Sequence, residues 1–409
     1  MRCILCNLSA WGCGHLGTLA ASSDGAPMRT ILTESADLLP AIVDSDLCGE
    51  GTVVFSPSSE NRTDIGETIV APYTGSLSSP GDEIVVGEVL VVKVQEYALT
   101  PHLAVTGPTF ARITSKKDFC AFLDHADQAH QHGLFPQALL HPMIRLGDLC
   151  ALGGSHTCGG PRQRLFIRAS GQASTTPHGM PLGAMTDGLA SLTTVWSAFR
   201  RPPSSGCPVC LSEAVPAPIL RIAHRQRPWL SRYLYALEAL RTAASLGLTQ
   251  LKVSGFPHRL TGAQDRYTPA ADFTPAGADM PLLLFNSSIA VLHDPRSNQQ
   301  FQIGEGTARL IELLLIHGDL DSAVSAATHR LGLAPHAARD ALAQVTSGLN
   351  FGMQPSTTHN VPGIEAKLLP TRYQHADARS LNASCWLSAM GVAAFSQSIQ
   401  LVPGPRVPG

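Results

Sequence analysis

Leu282-Leu-Leu-Phe285, Ile289-Ala-Val-Leu292, Asp294-Pro-Arg-Ser-Asn298 and Gln300-Phe-Gln-Ile303 follow one another closely along the chain. The three apolar runs read as short strands, and the Asp-Pro-Arg-Ser-Asn stretch between the last two supplies a turn. The apolar period then becomes helical. Thr307 to Ile316 places Ala308, Ile311, Leu314 and Leu315 on one face and stops at Gly318. Asp319 is suited to cap a second helix, in which Leu320, Ala323, Val324, Ala327 and Leu331 align. Pro335, a good first-turn residue, opens a third helix with Ala338, Ala341, Leu342, Val345 and Leu349 in line. Three strands followed by three helices predict a winged-helix unit over residues 281–352.

Upstream, residues 263–280 form a Pro/Ala/Gly linker, and a long helix is predicted from Pro228 to Leu246, with Leu230, Leu234, Leu237, Ala239, Leu240 and Ala244 as its apolar stripe. Between Asp148 and Gly206 the chain is rich in Gly, Ser, Thr and Pro, with a strand-like Arg164-Leu-Phe-Ile-Arg168 and a helix-like Leu189 to Phe199. From Ile31 to Ile113 short β-branched runs alternate with turn residues, as in Thr52-Val-Val-Phe55, Glu67 to Ala71, and Glu83 to Val94. A helix around Asp118 carries Phe119, Phe122, Leu123 and Ala126, with Ser115 as cap and Gly133 as stop. Met28 opens the regular pattern, so the chain could begin there, and residues 354–409, rich in Ser, Ala, His and Pro, read as weakly structured. The expected fold class is α+β and multi-domain: a β-rich region at 28–147, a middle region at 148–262, the linker, the winged helix and the tail.

Composition narrows the function classes. The 409 residues hold 29 Lys and Arg against 31 Asp and Glu, a net charge of −2, and only 15% are charged where about 25% is usual. Such a surface is not built to neutralise many phosphates, so nucleic acid is an unexpected partner. The longest apolar run, near Ile84 to Val94, is broken by Gly87, Glu88 and Lys93, and falls short of the roughly 20 residues that span a bilayer. The first 21 residues lack the clean apolar block of a secretory signal, and the ten cysteines do not tile the chain as a disulfide framework would. A reducing cytoplasm is the expected location.

Val291-Leu-His-Asp-Pro, Phe301-Gln-Ile-Gly-Glu-Gly-Thr-Ala-Arg-Leu-Ile-Glu-Leu-Leu, Gly318-Asp-Leu-Asp-Ser-Ala-Val and His329-Arg-Leu-Gly-Leu-Ala-Pro occur in that order. This segment resembles the PqqD-like peptide chaperones, also called RiPP recognition elements. The resemblance implies binding rather than chemistry: such domains hold the leader segment of a ribosomally made precursor peptide while partner enzymes modify its core. By strand addition, the leader would pair along the third strand, at Gln299, Gln300, Phe301, Gln302 and Ile303, beside a groove walled by Ala338, Leu342, Val345 and Leu349. The plainer reading of those helix residues is core, and of the strand an ordinary wing. A DNA-reading winged helix would want basic residues on its third helix, where only His336 and Arg339 occur.

Leu165-Phe-Ile-Arg-Ala-Ser-Gly171, Thr176-Pro-His-Gly179, Pro181-Leu-Gly183, Leu189 to Trp196 and Cys207-Pro-Val-Cys210 together resemble a degenerate SPASM domain, the cluster-binding extension of radical SAM peptide-modifying enzymes. His178 stands where that resemblance implies a thiolate, and no CxxxCxxC triad occurs, so radical catalysis is not expected. Cys207 and Cys210 with Cys150 and Cys158 could instead make a four-thiolate structural zinc site, since a CxxC pair presents two sulfurs to one tetrahedral ion. The alternative is a turn with free thiols. Cys3, Cys6, Cys13 and His15 have ligand-like spacing as well.

Gly12-Cys-Gly-His-Leu-Gly17 matches G-x-G-x-x-G with Glu34 downstream, a pattern that serves a nucleotide site or merely a Gly-rich loop. No G-x-S-x-G, H-E-x-x-H or G-x-x-x-x-G-K-[ST] is present, and no catalytic residues are expected. His125, His130 and His132 read as packed or solvated. Arg221 to Arg232, with His224, Arg225, Arg227, Trp229 and Tyr233, is a basic aromatic cluster that is either a helix start or an interface with an acidic partner. The sequence therefore predicts a non-catalytic adaptor whose partners are a leader peptide and the pathway's modifying enzymes. The alternatives are a nucleotide-dependent peptide-modifying enzyme and a winged-helix DNA regulator.

Overall fold

The computed structural model describes residues 4–14, 29–57, 63–87, 90–153, 158–199, 206–262, 280–295, 299–348 and 366–368. The core is laid on strand β1 (Thr30–Thr33), all four residues of which are buried. It pairs in parallel with β2 (Val53–Pro57) on one side and with β9 (Arg164–Ile167) on the other, placing Ile31 opposite both Val54 and Leu165. Burial on both faces is what a central parallel strand demands, and Ile31 and Leu32 supply its apolar centre between two buried threonines, Thr30 and Thr33.

From β2 the sheet continues through β4 (Thr68–Gly75), β5 (Glu83–Val86), β6 (Leu90–Glu96), β7 (Thr109–Arg112) and β8 (Ile144–Leu146), with β3 (Thr63–Ile65) on β4. Beyond β9 it ends in the antiparallel β10 (Gln172–Ser174) and β11 (Gly183–Ala184). These eleven strands form one mixed sheet. The boundary expected at 147/148 is therefore crossed by a ladder: β1 from the first region and β9 from the second are direct neighbours.

Alternation divides the sheet's side chains between two cores. Ile31, Val54, Ala111, Leu165 and Ile167 face a helical layer, while Leu32, Phe55, Phe110 and Phe166 face the other way. That second core is completed by Leu8 and Trp11 of α1 (Ile4–Cys13), and the Trp11 indole donates to the Leu165 carbonyl at 2.9 Å. Residues ahead of Met28 thus contribute to the folded core.

The helical layer contains α2 (Leu39–Val43), α3 (Lys116–His132), α4 (Gly188–Phe199), α5 (Ala217–Gln226) and α6 (Leu230–Ser245). Ser115 caps α3 by accepting from the Asp118 amide, and Gly133 stops it at φ 68°. The α6 helix is buried almost all round and joins the large sheet to a second one. Its Arg232 guanidinium donates to the carbonyls of Met280 and Pro281, and its Ala239 carbonyl accepts from the Gln300 side chain at 2.7 Å. Part of the basic aromatic cluster is engaged internally, while Arg225 stays exposed. Arg227 makes a bidentate pair with Asp127 (2.8 and 2.6 Å), and Trp229 stacks on His130 at 4.2 Å.

The second sheet is antiparallel throughout, in the order β12 (Lys252–Val253), β13 (Leu282–Phe285), β14 (Ala290–Asp294), β15 (Gln299–Ile303) and β16 (Ala366–Leu368). Helices α7 (Glu305–His317), α8 (Leu320–Leu331) and α9 (Pro335–Gly348) follow β15. Gly318 ends α7 in the left-handed region, and the Asp319 carboxylate caps α8 by accepting from the Ser322 amide at 2.8 Å. The tail expected to be weakly structured contributes β16, and the remainder of 354–409 lies outside the described residues, as does 263–279 of the linker.

Within β14, His293 is fully buried, and neither ring nitrogen has a hydrogen-bond partner among the described residues. Burial pushes its pKa down to about 4; Asp294 opposes that shift and Arg232 adds to it. An unfolded histidine titrates near 6.5, so the unfolded state takes up the proton first as pH falls. The stability this neutral histidine allows is complete above about pH 6.5 and is lost progressively toward pH 4. Urea denaturation should show a loss of about 2.5 kcal/mol from this site between pH 7.5 and 4.5, absent in His293→Leu. Identical pH slopes for the two proteins would refute this.

Candidate metal centre and strand edge

Three loops bring four cysteines together. After β8 the chain turns at Gly147 and Asp148, the latter in the left-handed region at φ 54°. The C-terminal end of α1 holds that turn: the Asp148 amide donates to the Gly12 carbonyl (3.1 Å) and the Leu149 amide to that of Cys13 (2.8 Å). Cys150 follows at once. Cys158 lies just ahead of the short helical turn Gly160–Arg162 that leads into β9. Cys207 and Cys210 lie in the connection between α4 and α5, where the Cys207 amide donates to the Cys150 carbonyl at 2.9 Å and the Thr176 hydroxyl donates to the Cys210 carbonyl at 2.6 Å.

The four sulfurs are buried and lie within 4.8 Å of one another. Cys150 Sγ is 3.6 Å from Cys210 Sγ, which is 3.5 Å from Cys207 Sγ. Zn–S bonds of about 2.3 Å at tetrahedral angles put sulfurs about 3.8 Å apart, so the donor set fits such an ion with little adjustment. All four are free thiols. A closed set of four sulfurs leaves no open coordination position, which suits a structural ion rather than a catalytic one.

The surroundings favour negative charge on sulfur. Arg164, buried at the start of β9, donates to Cys150 Sγ (3.3 Å), to Asp148 (2.9 Å) and to the Trp11 carbonyl (2.8 Å). The Thr175 hydroxyl lies 3.3 Å from Cys210 Sγ. Hydrogen bonds from Cys150, Cys158 and Cys207 pull the Cys210 thiol well below the ordinary range, and Arg164 adds to that pull against the effect of burial. Cys150 is pushed up by its hydrogen bonds to the other three thiols and by burial.

His178 does not belong to this set; its carbonyl accepts from the Glu213 amide at 3.1 Å. Of the N-terminal ligand-like residues, Cys3 and His15 lie outside the described residues, and Cys13 is buried with its thiol raised by desolvation. The G-x-G-x-x-G match also has a packing explanation. Gly12 and Gly14 fall at the end of a helix, not at the start of one. A Cβ at Gly12 would come within 2.3 Å of the Phe110 ring, and one at Gly14 within 2.4 Å of the Arg164 guanidinium.

The strand edge has a composite character. On β15, Gln300 points inward to Ala239, Phe301 and Gln299 are half-buried, and Gln302 is exposed. One flank is paired with β14 along all five residues, and the other carries β16, with Phe301 opposite Leu368, Gln302 opposite Lys367 and Ile303 opposite Ala366. Ala338 and Leu342 are buried in a cluster with α7 and α8, and Val345 is buried against the sheet. These three form interior rather than a groove wall, because the apolar stripe of the last helix covers both its helical and its sheet neighbours; Leu349 lies outside the described residues.

Sequence reasoning missed Glu312, fully buried in α7. Its carboxylate accepts from the Ser254 hydroxyl (2.5 Å), the Leu260 amide (2.8 Å), and the amide and hydroxyl of Thr261 (both 2.6 Å). A lone acid inside Leu310-Ile-Glu-Leu-Leu-Leu315 was the available signal. No described helix is long and apolar enough to cross a membrane. No protein family, no curated protein and no solved structure matches the chain.

Proposed function

We propose that residues 281–352 are a winged-helix peptide-binding unit of the PqqD-like kind, and that the chain is a non-catalytic adaptor presenting a ribosomally made precursor peptide to modifying enzymes. The observation that carries this reading is a sheet edge that already accepts an added strand. Strand β15 follows a β13–β14 meander, precedes three helices, and pairs on its outer flank with a segment distant in sequence. Strand addition of that kind is how an extended leader gains affinity from backbone hydrogen bonds without a deep pocket. The stretches Leu99 to Gly107 and Val253 to Phe256 add a resemblance to the leader-recognition proteins of daptide biosynthesis. The reading as a DNA regulator is less well supported, since Arg339, the one arginine of α9, pairs with Asp321 of α8 at 2.6 Å. The four-cysteine cluster is assigned as a structural zinc site that fastens the α4–α5 connection to the turn after β8.

Fluorescence anisotropy with the labelled leader of a short peptide encoded beside this gene tests the reading. Full-length protein should bind it, and Phe301→Pro or Gln302→Pro should weaken binding at least tenfold by removing a backbone donor from the edge strand or disturbing its register. Unchanged affinity in both variants would remove β15 from the site.

A further inference from the structure

We infer that Arg112 and Asp148 frame a buried binding site for one small oxyanion that keeps a hydroxyl group, of the hydrogen phosphate or bicarbonate kind. Arg112 ends β7 and is only 1% exposed. Its guanidinium carbon lies 5.2 Å from the centre of the Trp11 ring and 5.8 Å from that of Phe110, and its Nη1 donates to the Leu77 carbonyl at 3.2 Å. Nε and Nη2 are buried and have no hydrogen-bond partner among the described residues. These two atoms are the side-on fork of the group, whose parallel N–H bonds match two oxygens of one oxyanion. Arg227 shows the same fork in use, its Nε and Nη2 holding the two oxygens of Asp127 at 2.8 and 2.6 Å. Other buried arginines nearby meet carboxylates, Arg145 and Arg241 at Glu238 and Arg164 at Asp148. Arg112 meets none among the described residues. The two aromatic rings offset part of the cost of burying its charge, and an anion on the fork offsets the rest.

The hydroxyl follows from Asp148. That side chain is fully buried, accepts from Arg164 through Oδ1 at 2.9 Å, and has no donor at Oδ2 among the described residues. The turn that carries it runs beside Arg112. The Gly147 amide donates to the Ala111 carbonyl at 2.8 Å, and a Cβ at Gly147 would come within 2.9 Å of Arg112 Cγ and 3.5 Å of its Nε. A carboxylate only accepts, so a ligand shared by the fork and Asp148 must offer oxygens to the one and an O–H to the other. Hydrogen phosphate and bicarbonate meet both demands; sulfate meets only the first. His178, in the loop after β10, adds a third buried atom without a partner, its Nε2, on a half-buried side chain. Burial and the charge of Arg112 push its pKa down, against Asp148 and Glu213, so at neutral pH the uncharged ring can donate one N–H.

Isothermal titration calorimetry of the full chain with potassium phosphate, bicarbonate and sulfate, at equal ionic strength and neutral pH, tests the site. Phosphate or bicarbonate should bind at one ion per chain, roughly tenfold or more tightly than sulfate, and should raise the melting temperature as its concentration rises. Arg112→Lys keeps the charge but presents no fork, and should weaken that binding roughly tenfold or more. Circular dichroism establishes whether this variant folds. Where it does not, His178→Phe, a change at a half-buried position, carries the test with an expected loss of roughly threefold or more. Binding of neither phosphate nor bicarbonate would overturn the assignment. Sulfate binding as tightly as both, or affinity unchanged in the variant that folds, would overturn it as well.

Discussion

Replacing Cys210 with serine is expected to abolish metal retention and to lower the melting temperature by roughly 10 °C. Protein purified without chelator should carry about one zinc ion per chain, since four convergent thiols form a complete tetrahedral donor set. Cys210 is the informative position because its sulfur lies between those of Cys150 and Cys207, at 3.6 and 3.5 Å. Cys207→Ser should behave alike. Arg164→Met should retain the ion with roughly 10- to 100-fold lower affinity, as outer partners of metal ligands typically do. Elemental analysis by mass spectrometry and a chelator titration read these outcomes together. A metal-free protein whose stability ignores Cys210→Ser would return the four residues to the status of packed thiols.

The second large effect falls on Glu312. Four donors converge on one buried carboxylate, and they tie the loop from Ser254 to Thr261 onto α7. Glu312→Gln keeps the shape of the side chain but turns an amide NH₂ toward groups that themselves donate, leaving buried donors unmatched. The expected cost is about 3–5 kcal/mol. Urea denaturation followed by circular dichroism measures it, and amide exchange should show protection lost at Leu260 and Thr261 first. A loss below about 1 kcal/mol would mean that water substitutes for the carboxylate.

The C-terminal unit was legible because its signals are local. The strands found at Leu282–Phe285, Ala290–Asp294 and Gln299–Ile303 lie within two residues of those predicted, and Gly318, Asp319 and Pro335 punctuate the helices as their chemistry requires. Ser115 and Gly133 bound α3 for the same reason. The four-cysteine cluster was partly legible, through Cys207-Pro-Val-Cys210, although the pair Cys150 and Cys158 is joined to it only by folding. What the sequence concealed is non-local. A four-residue strand such as Thr30–Thr33 carries no mark of which distant strand it will lie beside. The apolar face of α1 was masked by the cysteines and glycines in and just after it; the lack of a side chain at Gly12 and Gly14 is what lets the backbone approach Phe110 and Arg164. Strand β16 sits in a segment whose composition gave no strand signal, because its pairing is decided by the edge it meets.

The ladder between β1 and β9 also bears on how the chain is made. Ile31 finds Val54 soon after both are synthesised, but its other neighbour, Leu165, belongs to a strand that ends at Ile167. At about 5–20 residues per second, the ribosome needs roughly 7–27 s between completing Thr33 and completing Ile167. Throughout that interval one flank of Thr30–Thr33 is unpaired, and the Trp11 indole waits for the Leu165 carbonyl. The nascent N-terminal half is therefore an open-edged intermediate, and synthesis rate across residues 34–167 sets how long it is exposed to aggregation.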